Sequence, residues 1–175
     1  MRIGVISDTH GRLHAQAYNA LADCDVIVHA GDIGDLAVLR ELETLAPVTA
    51  VLGNCDYDEY GPRVQRFAKP VFEGVRFLVG HKPADVRLGV GIGAAAAIQS
   101  GEPLPHVCIH GHTHLPRIVA GKEASPASFI VCPGSASRPR DTWPRSVAFI
   151  EVEAGCVQSV RVESLSGEEL LAWPR

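Results

Sequence analysis

The first third of the chain alternates short apolar runs with segments whose apolar residues recur at helical spacing. The apolar runs predict three strands, over residues 3–6, 26–28 and 48–52. Between them, residues 13–21 and the leucines at 36, 39, 42 and 45 predict two helices, the second with Asp35 as its N-cap. This β-α-β-α-β order predicts parallel strands joined by right-handed crossovers. Polar residues that follow these strands should therefore meet at one edge of the sheet.

The rest of the chain contains further short runs separated by turn signals. Seven of them predict strands, over residues 64–72, 75–79, 107–109, 118–120, 128–132, 146–153 and 156–163. Glu73-Gly74 and Ala154-Gly155 are hairpin signals. The Ala-rich residues 84–100 are expected to contain a helix, although their glycines leave its start open. The short strands after residue 118 predict a second, more antiparallel sheet.

Two sheets packed face to face with helices outside define the expected fold class. It is α/β, a four-layer α/β/β/α sandwich of two mixed sheets flanked by helices. The 175 residues fit one domain with room for a sizeable core. We expect this domain to span residues 1–175, with a polar tail from about residue 164 that gives little structural signal.

Composition narrows the class of protein further. The chain is 46% hydrophobic and carries a formal net charge of −4 without a long basic run, so nucleic acid is not a favoured partner. No uncharged apolar stretch approaches ~20 residues, and the N-terminus does not follow a signal-peptide pattern, so no membrane association is expected. The five cysteines are scattered without a C-x-x-C pair. Reduced thiols and a cytoplasmic location are expected.

Polar side chains with metal-binding chemistry follow the predicted strands. Two histidines stand two residues apart after the apolar run 107–109, on a loop tightened by Gly111. The predicted strands 3–6, 26–28, 48–52 and 75–79 are also followed by polar residues that can bind a metal ion. Taken together, the candidate ligands are Asp8, His10, Asp32, Asn54, His81, His112 and His114. We interpret these residues as the edges of one site.

Seven oxygen and nitrogen ligands are too many for one small ion and suit two ions about 3.5–4 Å apart. One carboxylate must then bridge them, and Asp32 is the best choice because its flanking glycines allow close backbone approach. Mixed Asp, Asn and His ligands favour Mn, Fe, Zn, Co or Ni, with manganese first, over Mg or Ca. Two such cations would produce a bridging hydroxide at neutral pH, and a phosphate ester is the natural substrate for it.

Each candidate also has a simpler interpretation. Asp8 and His10 could be a loop cap and a surface histidine, while Asp32 and Asn54 could be ordinary turn residues beside glycine. His81 has the least supporting context of the seven. The combined pattern, in which every predicted parallel strand ends in a ligand-type residue, favours the metal site.

The same residues form five ordered motifs that resemble the calcineurin-like metallophosphoesterases, over residue 1 to about residue 153. Their small bacterial and archaeal branch is the most similar, the YfcE-like phosphodiesterases related to the retromer subunit Vps29. The motifs are Asp8-x-His10, Gly31-Asp32, Gly53-Asn54-Cys55-Asp56, His81 and Gly111-His112-Thr113-His114. The segment Pro133-Gly134-Ser135 with Pro139-Arg140 is similar to an Asn-Pro-Gly-Ser stretch of that branch.

The resemblance implies a metallo-dependent phosphatase-like fold and assigns roles to the ligands. One ion would be held by Asp8, His10, Asp32 and His114, and the other by Asp32, Asn54, His81 and His112. It also implies that Asn54, Asp56 and His112 take part in catalysis. The expected activity is that of a phosphodiesterase acting on a small phosphate ester, without an organic cofactor. A nucleotide diester, a cyclic nucleotide and a small phosphomonoester remain open as substrates, and a homo-oligomer is compatible with the sequence.

Three departures from the family pattern bear on this expectation. Cys55 stands where larger members have a histidine that protonates the leaving group, Lys82-Pro83 replaces a Gly-His pair, and Cys132 replaces an asparagine. We therefore expect esters with good leaving groups to be cleaved best. Lys82 could supply charge to the phosphate instead. Arg138, Arg140 and Arg145 could do the same or could be solvated loop residues. A Vps29-like binding scaffold that retains the metal site is the alternative function.

Overall fold

The computed structural model describes residues 1–57, 60–88 and 101–174. Of the helix expected within residues 84–100, only the beginning falls in these ranges, where Pro83–Val86 forms a short helix. Residues 89–100 lie outside the described part of the chain. Within the described ranges, the helices are all too short or too polar to cross a membrane.

The first sheet contains six strands in the order β12-β11-β10-β1-β2-β3. Its parallel half is the predicted β-α-β-α-β unit, in which β1, β2 and β3 pair in parallel. This unit consists of β1 Arg2–Ile6, α1 Ala15–Ala20, β2 Val26–His29, α2 Leu36–Glu43 and β3 Val48–Ala50. Asp35 caps α2 as predicted, since its carboxylate accepts a hydrogen bond of 2.8 Å from the Ala37 N–H.

The second sheet has the order β4-β6-β7-β9-β8, with β5 paired to β6 as a hairpin. Its three central strands β6, β7 and β9 are parallel to one another. The elements from β4 to the end of β9 are β4 Phe67–Ala68, β5 Val71–Phe72, β6 Val75–Gly80, α3 Pro83–Val86, β7 Val107–Ile109, β8 Pro116–Ala120, a 3₁₀ turn at Gly121–Ala124 and β9 Phe129–Pro133.

The expectation for the last predicted strands was wrong in one respect. β10 Ser146–Glu153 and β11 Cys156–Ser164 join the first sheet rather than the second, with β10 antiparallel to β1. The reason lies in β10, whose residues 146–150 are all buried. A strand that is apolar on both faces belongs inside a sheet covered on both sides. The polar tail also forms a strand that was not predicted, β12 Glu169–Trp173, which pairs with β11.

Three apolar clusters separate the layers of the expected sandwich. Between the sheets, Val5 and Val28 of the first sheet belong to one buried cluster with Val79 and Ile109 of the second. On the outer face of the first sheet, side chains of α1 and α2 such as Leu39 pack with residues of β1 and β2. A smaller cluster around Leu78, Val86 and Cys108 covers the outer face of the second sheet. The fold is thus a mixed α/β sandwich of two mixed sheets with few helices.

This topology brings the ends of six parallel strands to one edge of the sandwich. β1, β2 and β3 lead into the loops that carry Asp8, Asp32 and Asn54. β6 and β7 lead into the loops that carry His81 and His112. Ligand sites in α/β sheets form beyond the carboxyl ends of such strands.

Candidate metal centre

The loops at this edge hold most of the candidate ligands in an unusual backbone conformation. Five of the seven have positive φ angles: Asp8 at 55°, His10 at 48°, Asp32 at 53°, His112 at 66° and His114 at 60°. For an L-residue this conformation costs roughly 1–2 kcal/mol, and Asp, Asn and His tolerate it better than most residues. Strain that recurs at one place in a fold indicates a functional site.

Glycines that precede the ligands allow the loops to approach one another. A Cβ atom added at Gly53 would lie 2.1 Å from the backbone nitrogen of Asp32. One added at Gly31 would lie 2.6 Å from Nδ1 of His81, and one at Gly111 would lie 2.7 Å from Oδ2 of Asp8. The Gly-Asp, Gly-Asn and Gly-His pairs of the sequence therefore reflect loop contacts that exclude any larger residue.

The first group of ligands consists of Asp8, His10 and His114. One ligand atom from each lies within 4.8 Å of the other two. Nε2 of His114 is 3.1 Å from Oδ1 of Asp8 and 3.5 Å from Nε2 of His10. Oδ1 of Asp8 is fully buried, and among the described residues it has no hydrogen-bond donor other than Nε2 of His114 when that ring is protonated. A buried carboxylate oxygen with an unused lone pair is costly unless a cation neutralises it.

The second group consists of Asp32, Asn54 and His81. Nε2 of His81 lies 3.1 Å from Oδ1 of Asn54 and 3.3 Å from Oδ1 of Asp32. Asp8 and Asp32 also share a group with His81, in which the ligand atoms lie within 4.8 Å of one another. The two groups are therefore contiguous.

Hydrogen bonds on the far side of two imidazoles fix which nitrogen faces the centre. Nδ1–H of His81 donates to the carbonyl of Ala30 at 2.8 Å, and Nδ1–H of His114 donates to the carbonyl of Arg138 at 2.5 Å. A carbonyl can only accept, so Nδ1 carries a proton and Nε2 faces the centre, where it holds a second proton in the imidazolium or offers a lone pair in the neutral ring. Both Nε2 atoms face carboxylate oxygens, an arrangement that fits a proton or a metal cation between them.

The contacts between these imidazoles and carboxylates also shift their pKa values. Burial opposes protonation of His81, but the hydrogen bond and charge of Asp32 raise its pKa above the ordinary value. The hydrogen bond with Asp8 raises the pKa of His114. Burial would raise the pKa of Asp32, yet hydrogen bonds from His81 and from the Cys55 N–H hold it well below its usual range. The centre thus attracts positive charge, and a divalent ion can replace the protons.

His112 lies beside the second group without joining either three-ligand set. Its ring centroid is 5.2 Å from that of His81 in an edge-on contact, and its backbone N–H donates to Oδ2 of Asp8 at 3.1 Å. Burial lowers the pKa of His112, and the positive charges of His81 and Lys82 add to the effect. Lys82 is exposed at the start of α3, directly after His81.

Asp56 has a different environment from the other candidates. One carboxylate oxygen accepts from the N–H groups of Ile33 and Gly53 at 3.1 and 2.8 Å. The other accepts from the Gly34 N–H at 2.9 Å and the Tyr60 hydroxyl at 3.0 Å. These bonds tie the loop of Asp32 to the loop of Asn54. They make Asp56 a residue that positions both loops, and its part in catalysis stays a prediction.

The two cysteines in the departing motifs have unreactive surroundings. Burial raises the pKa of the Cys132 thiol to about 11. Cys55 is exposed, and its backbone N–H donates to Oδ1 of Asp32 at 2.8 Å. Burial and the neighbouring Asp32 raise the pKa of its thiol, so it is not an activated nucleophile.

Replacing Cys55 should therefore leave hydrolysis almost intact. In Cys55→Ala the N–H that binds Asp32 is kept, and we expect kcat/KM for a phosphodiester to stay within about threefold of the parent value. Steady-state kinetics with and without a thiol-alkylating reagent would measure this. A loss of a hundredfold or more in Cys55→Ala would show that the thiol takes part in the reaction.

These residues surround one open cleft of about 420 Å³. Its lining includes five of the predicted ligands, and the complete set is His10, Asp32, Asn54, Cys55, His112, His114, Arg138, Pro139 and Arg140. The cleft therefore contains both candidate metal ligands and two arginines.

The chain belongs to the calcineurin-like phosphoesterase superfamily. The family model of the calcineurin-like phosphoesterase superfamily domain matches residues 1–155. A probable metallophosphoesterase of Methanothermobacter thermautotrophicus is 35% identical over 168 residues, which covers 87% of each chain. The probable metallophosphoesterase YsnB of Bacillus subtilis is 28% identical and covers 97% of this chain and 95% of that protein. The resemblance drawn from the five motifs is thereby confirmed.

Solved structures show the same fold at lower sequence identity. The phosphoesterase YfcE of E. coli superposes with a TM-score of 0.71 at 22% identity and covers 98% of both chains. Vps29 of Entamoeba histolytica, solved in complex with Zn²⁺, superposes with a TM-score of 0.70 at 19% identity, covering 94% of this chain and 93% of that one. At these identities the likeness establishes the metallophosphoesterase fold.

The geometry brings together six of the seven predicted ligands within the two groups, and His112 beside them. Sequence reasoning did not identify the groups that orient them. These are mainly backbone atoms, such as the carbonyls of Ala30 and Arg138, which carry no sequence signal. The hydroxyls of Ser135 and Ser137 donate to the Asp8 carbonyl at 3.0 and 2.7 Å, and of these two only Ser135 belongs to a motif of the sequence analysis.

Proposed function

We propose that the protein is a dinuclear metal-dependent phosphodiesterase. The observation that carries the proposal is the convergence of the Nε2 atoms of His81 and His114 on the oxygens of Asp32 and Asp8. A divalent cation placed between a neutral imidazole and a carboxylate can take the place of the proton that would otherwise join them. Membership of a phosphoesterase superfamily makes a phosphate ester the substrate class.

Asp32 is the proposed bridging ligand. Its carboxylate belongs to one three-residue group with His10 and Cys55 and to another with Asp8 and His81, the ligand atoms of each lying within 4.8 Å of one another. Asp8, His10 and His114 would complete one ion site, and Asn54, His81 and His112 the other. Two divalent ions, with manganese as the first choice, would supply a hydroxide at neutral pH and neutralise charge on the phosphate oxygens. Asn54 is exposed at the cleft and can also donate a hydrogen bond to a phosphate oxygen.

The residues that line the cleft favour particular leaving groups. Cys55 has a raised thiol pKa, and the other two polar side chains of this part of the cleft belong to Arg138 and Arg140, a residue type that does not act as an acid in proteins. None of these three is a good proton donor to a departing alkoxide. Esters of acidic alcohols or phenols, which leave without protonation, should therefore react fastest.

The protein freed of metal with a chelator should be inactive, and added Mn²⁺ should restore hydrolysis of bis-p-nitrophenyl phosphate. Metal analysis after removal of free ions should find close to two ions per chain. His114→Asn should lose one of them because its Nε2 lone pair is replaced, whereas His14→Asn, outside the cleft, should keep both. Hydrolysis by p-nitrophenolate release and metal content by mass spectrometry measure the two effects. Failure to turn over this ester with any of Mn, Ni, Co, Fe or Zn would contradict the proposal.

A non-catalytic scaffold remains the second candidate because the fold superposes well on Vps29. One such structure is described as a Zn²⁺ complex, so metal binding alone does not separate the two functions. Turnover does. A protein that holds two ions, hydrolyses no ester and retains a binding partner after Asp32→Asn would be a scaffold. A cytoplasmic location and the oligomeric state stay predictions of the sequence.

A further inference from the structure

The loop after β9 presents two arginines to the metal cleft, and the proposed hydrolysis assigns neither of them a partner. Arg138 and Arg140 line the cleft together with His10 and His114. Both side chains are exposed. Among residues 1–57, 60–88 and 101–174, neither guanidinium forms an ion pair. Two free guanidinium groups at the mouth of a site form a potential anion-binding site.

The backbone that carries these arginines is fixed to the metal ligands. The hydroxyls of Ser135 and Ser137 donate to the carbonyl of Asp8, and the N–H of Arg138 donates to Oγ of Ser135 at 2.9 Å. The carbonyl of Arg138 accepts the Nδ1–H of His114. Because the base of the side chain is held in place, binding an anion orders only the side chain itself.

The charges of the proposed metal centre and its substrate indicate which kind of group Arg138 and Arg140 could bind. In the proposed centre, two divalent ions carry four positive charges, and Asp8 and Asp32 cancel two of them. A hydroxide and the single negative charge of a diester cancel the other two. The positive charges of Arg138 and Arg140 then remain uncompensated next to the reacting ester. A second phosphate group, with close to two negative charges at neutral pH, would balance them.

We propose that Arg138 and Arg140 bind a second phosphate of the substrate, so that the enzyme prefers esters with a phosphate group beyond the one that reacts. This inference rests on the proposed phosphodiesterase function and names the substrate class more closely. Arginine suits the role because its planar fork of donors matches two phosphate oxygens at once.

The test compares two ligands that differ by one phosphate, thymidine 3′,5′-bisphosphate and thymidine 5′-phosphate. Isothermal titration calorimetry on the Mn²⁺-loaded protein should find the bisphosphate bound about tenfold more tightly. In Arg138→Gln and Arg140→Gln this ratio should fall severalfold. Arg40→Gln, which removes an exposed arginine from the outer helix α2, should leave the ratio unchanged. The preference should also shrink as salt is added, because exposed charges are screened.

Equal affinity for the two ligands, or an unchanged ratio in both arginine variants, would overturn the inference. Hydrolysis of bis-p-nitrophenyl phosphate, which has no second phosphate, tests the proposed function in the same preparations. If that ester is hydrolysed while the affinities are equal, only the second-phosphate site is wrong. If no ester is hydrolysed and the ions are absent, the phosphodiesterase proposal itself has failed. Circular dichroism spectra that match the parent would show that the variants fold.

Discussion

Asp32→Asn should abolish hydrolysis, lowering kcat/KM for bis-p-nitrophenyl phosphate by about a thousandfold or more. An amide has one oxygen and one NH₂ group, so it cannot bridge two cations, and the NH₂ would face one of them. The change also removes the negative charge next to Nε2 of His81, which lies 3.3 Å away. Steady-state kinetics at saturating Mn²⁺, together with metal analysis, would show the loss of turnover and of at least one ion.

Asp35→Asn is the matched control for this substitution. Asp35 lies three residues along the same loop, where its side chain caps α2, and asparagine caps a helix about as well as aspartate. The control should keep both ions and nearly all activity. If Asp32→Asn instead retains two ions and turnover within tenfold of the parent, Asp32 does not bridge and the assignment of ligands must be revised.

Asp56→Ala should lower the free energy of unfolding by on the order of 2–4 kcal/mol and weaken metal binding as a consequence. The carboxylate accepts from the N–H groups of Ile33, Gly34 and Gly53, and these donors would lose their partner. The loops of Asp32 and Asn54 would then be free to separate. Urea unfolding of the metal-free protein measures the stability term, and Mn²⁺ titration measures the affinity.

The conservative variant separates positioning from catalysis. In Asp56→Asn one end of the side chain becomes an NH₂ donor, which must face either the Gly34 N–H or the pair formed by Ile33 and Gly53. We expect a smaller loss of stability and a higher Mn²⁺ requirement, with kcat near the parent value at saturating metal. Glu41→Gln on the outer helix is the control for removal of a charge. A large fall in kcat at saturating Mn²⁺, with normal stability, would instead make Asp56 a catalytic residue.

The positions of the candidate ligands could be predicted from two local signals, which coincide at Asp32, Asn54 and His112. An apolar run such as the one before Asp8 marks a buried parallel strand, and the polar residue after it must lie at the edge where such strands end. Glycine before Asp32, Asn54 and His112 is the second signal, since a residue without a side chain lets a neighbouring loop pack directly against the backbone. Neither signal depends on contacts distant in sequence.

The parts that sequence reasoning missed depend on such distant contacts. β10 pairs with β1, which is far from it in sequence. The one local sign of this position is that consecutive residues of β10 are buried, as in a strand covered on both faces. The residues of β12 do not alternate clearly between apolar and polar, so their sequence predicts no strand. The strand forms because it pairs with β11. The motif predicts a catalytic Asp56 but not its role in joining two loops, because its four donors come from residues whose positions are set by the fold.

The division of ligands between the sheets has a mechanical consequence. Asp8 and Asp32 follow strands of the first sheet, whereas His81 and His114 follow strands of the second. In the proposed centre each ion would therefore be a cross-link between the two halves of the sandwich. Because a ligand that binds only the native state stabilises it by mass action, ion occupancy would set how firmly the halves stay joined. The catalytic centre would then also act as a structural joint of the protein.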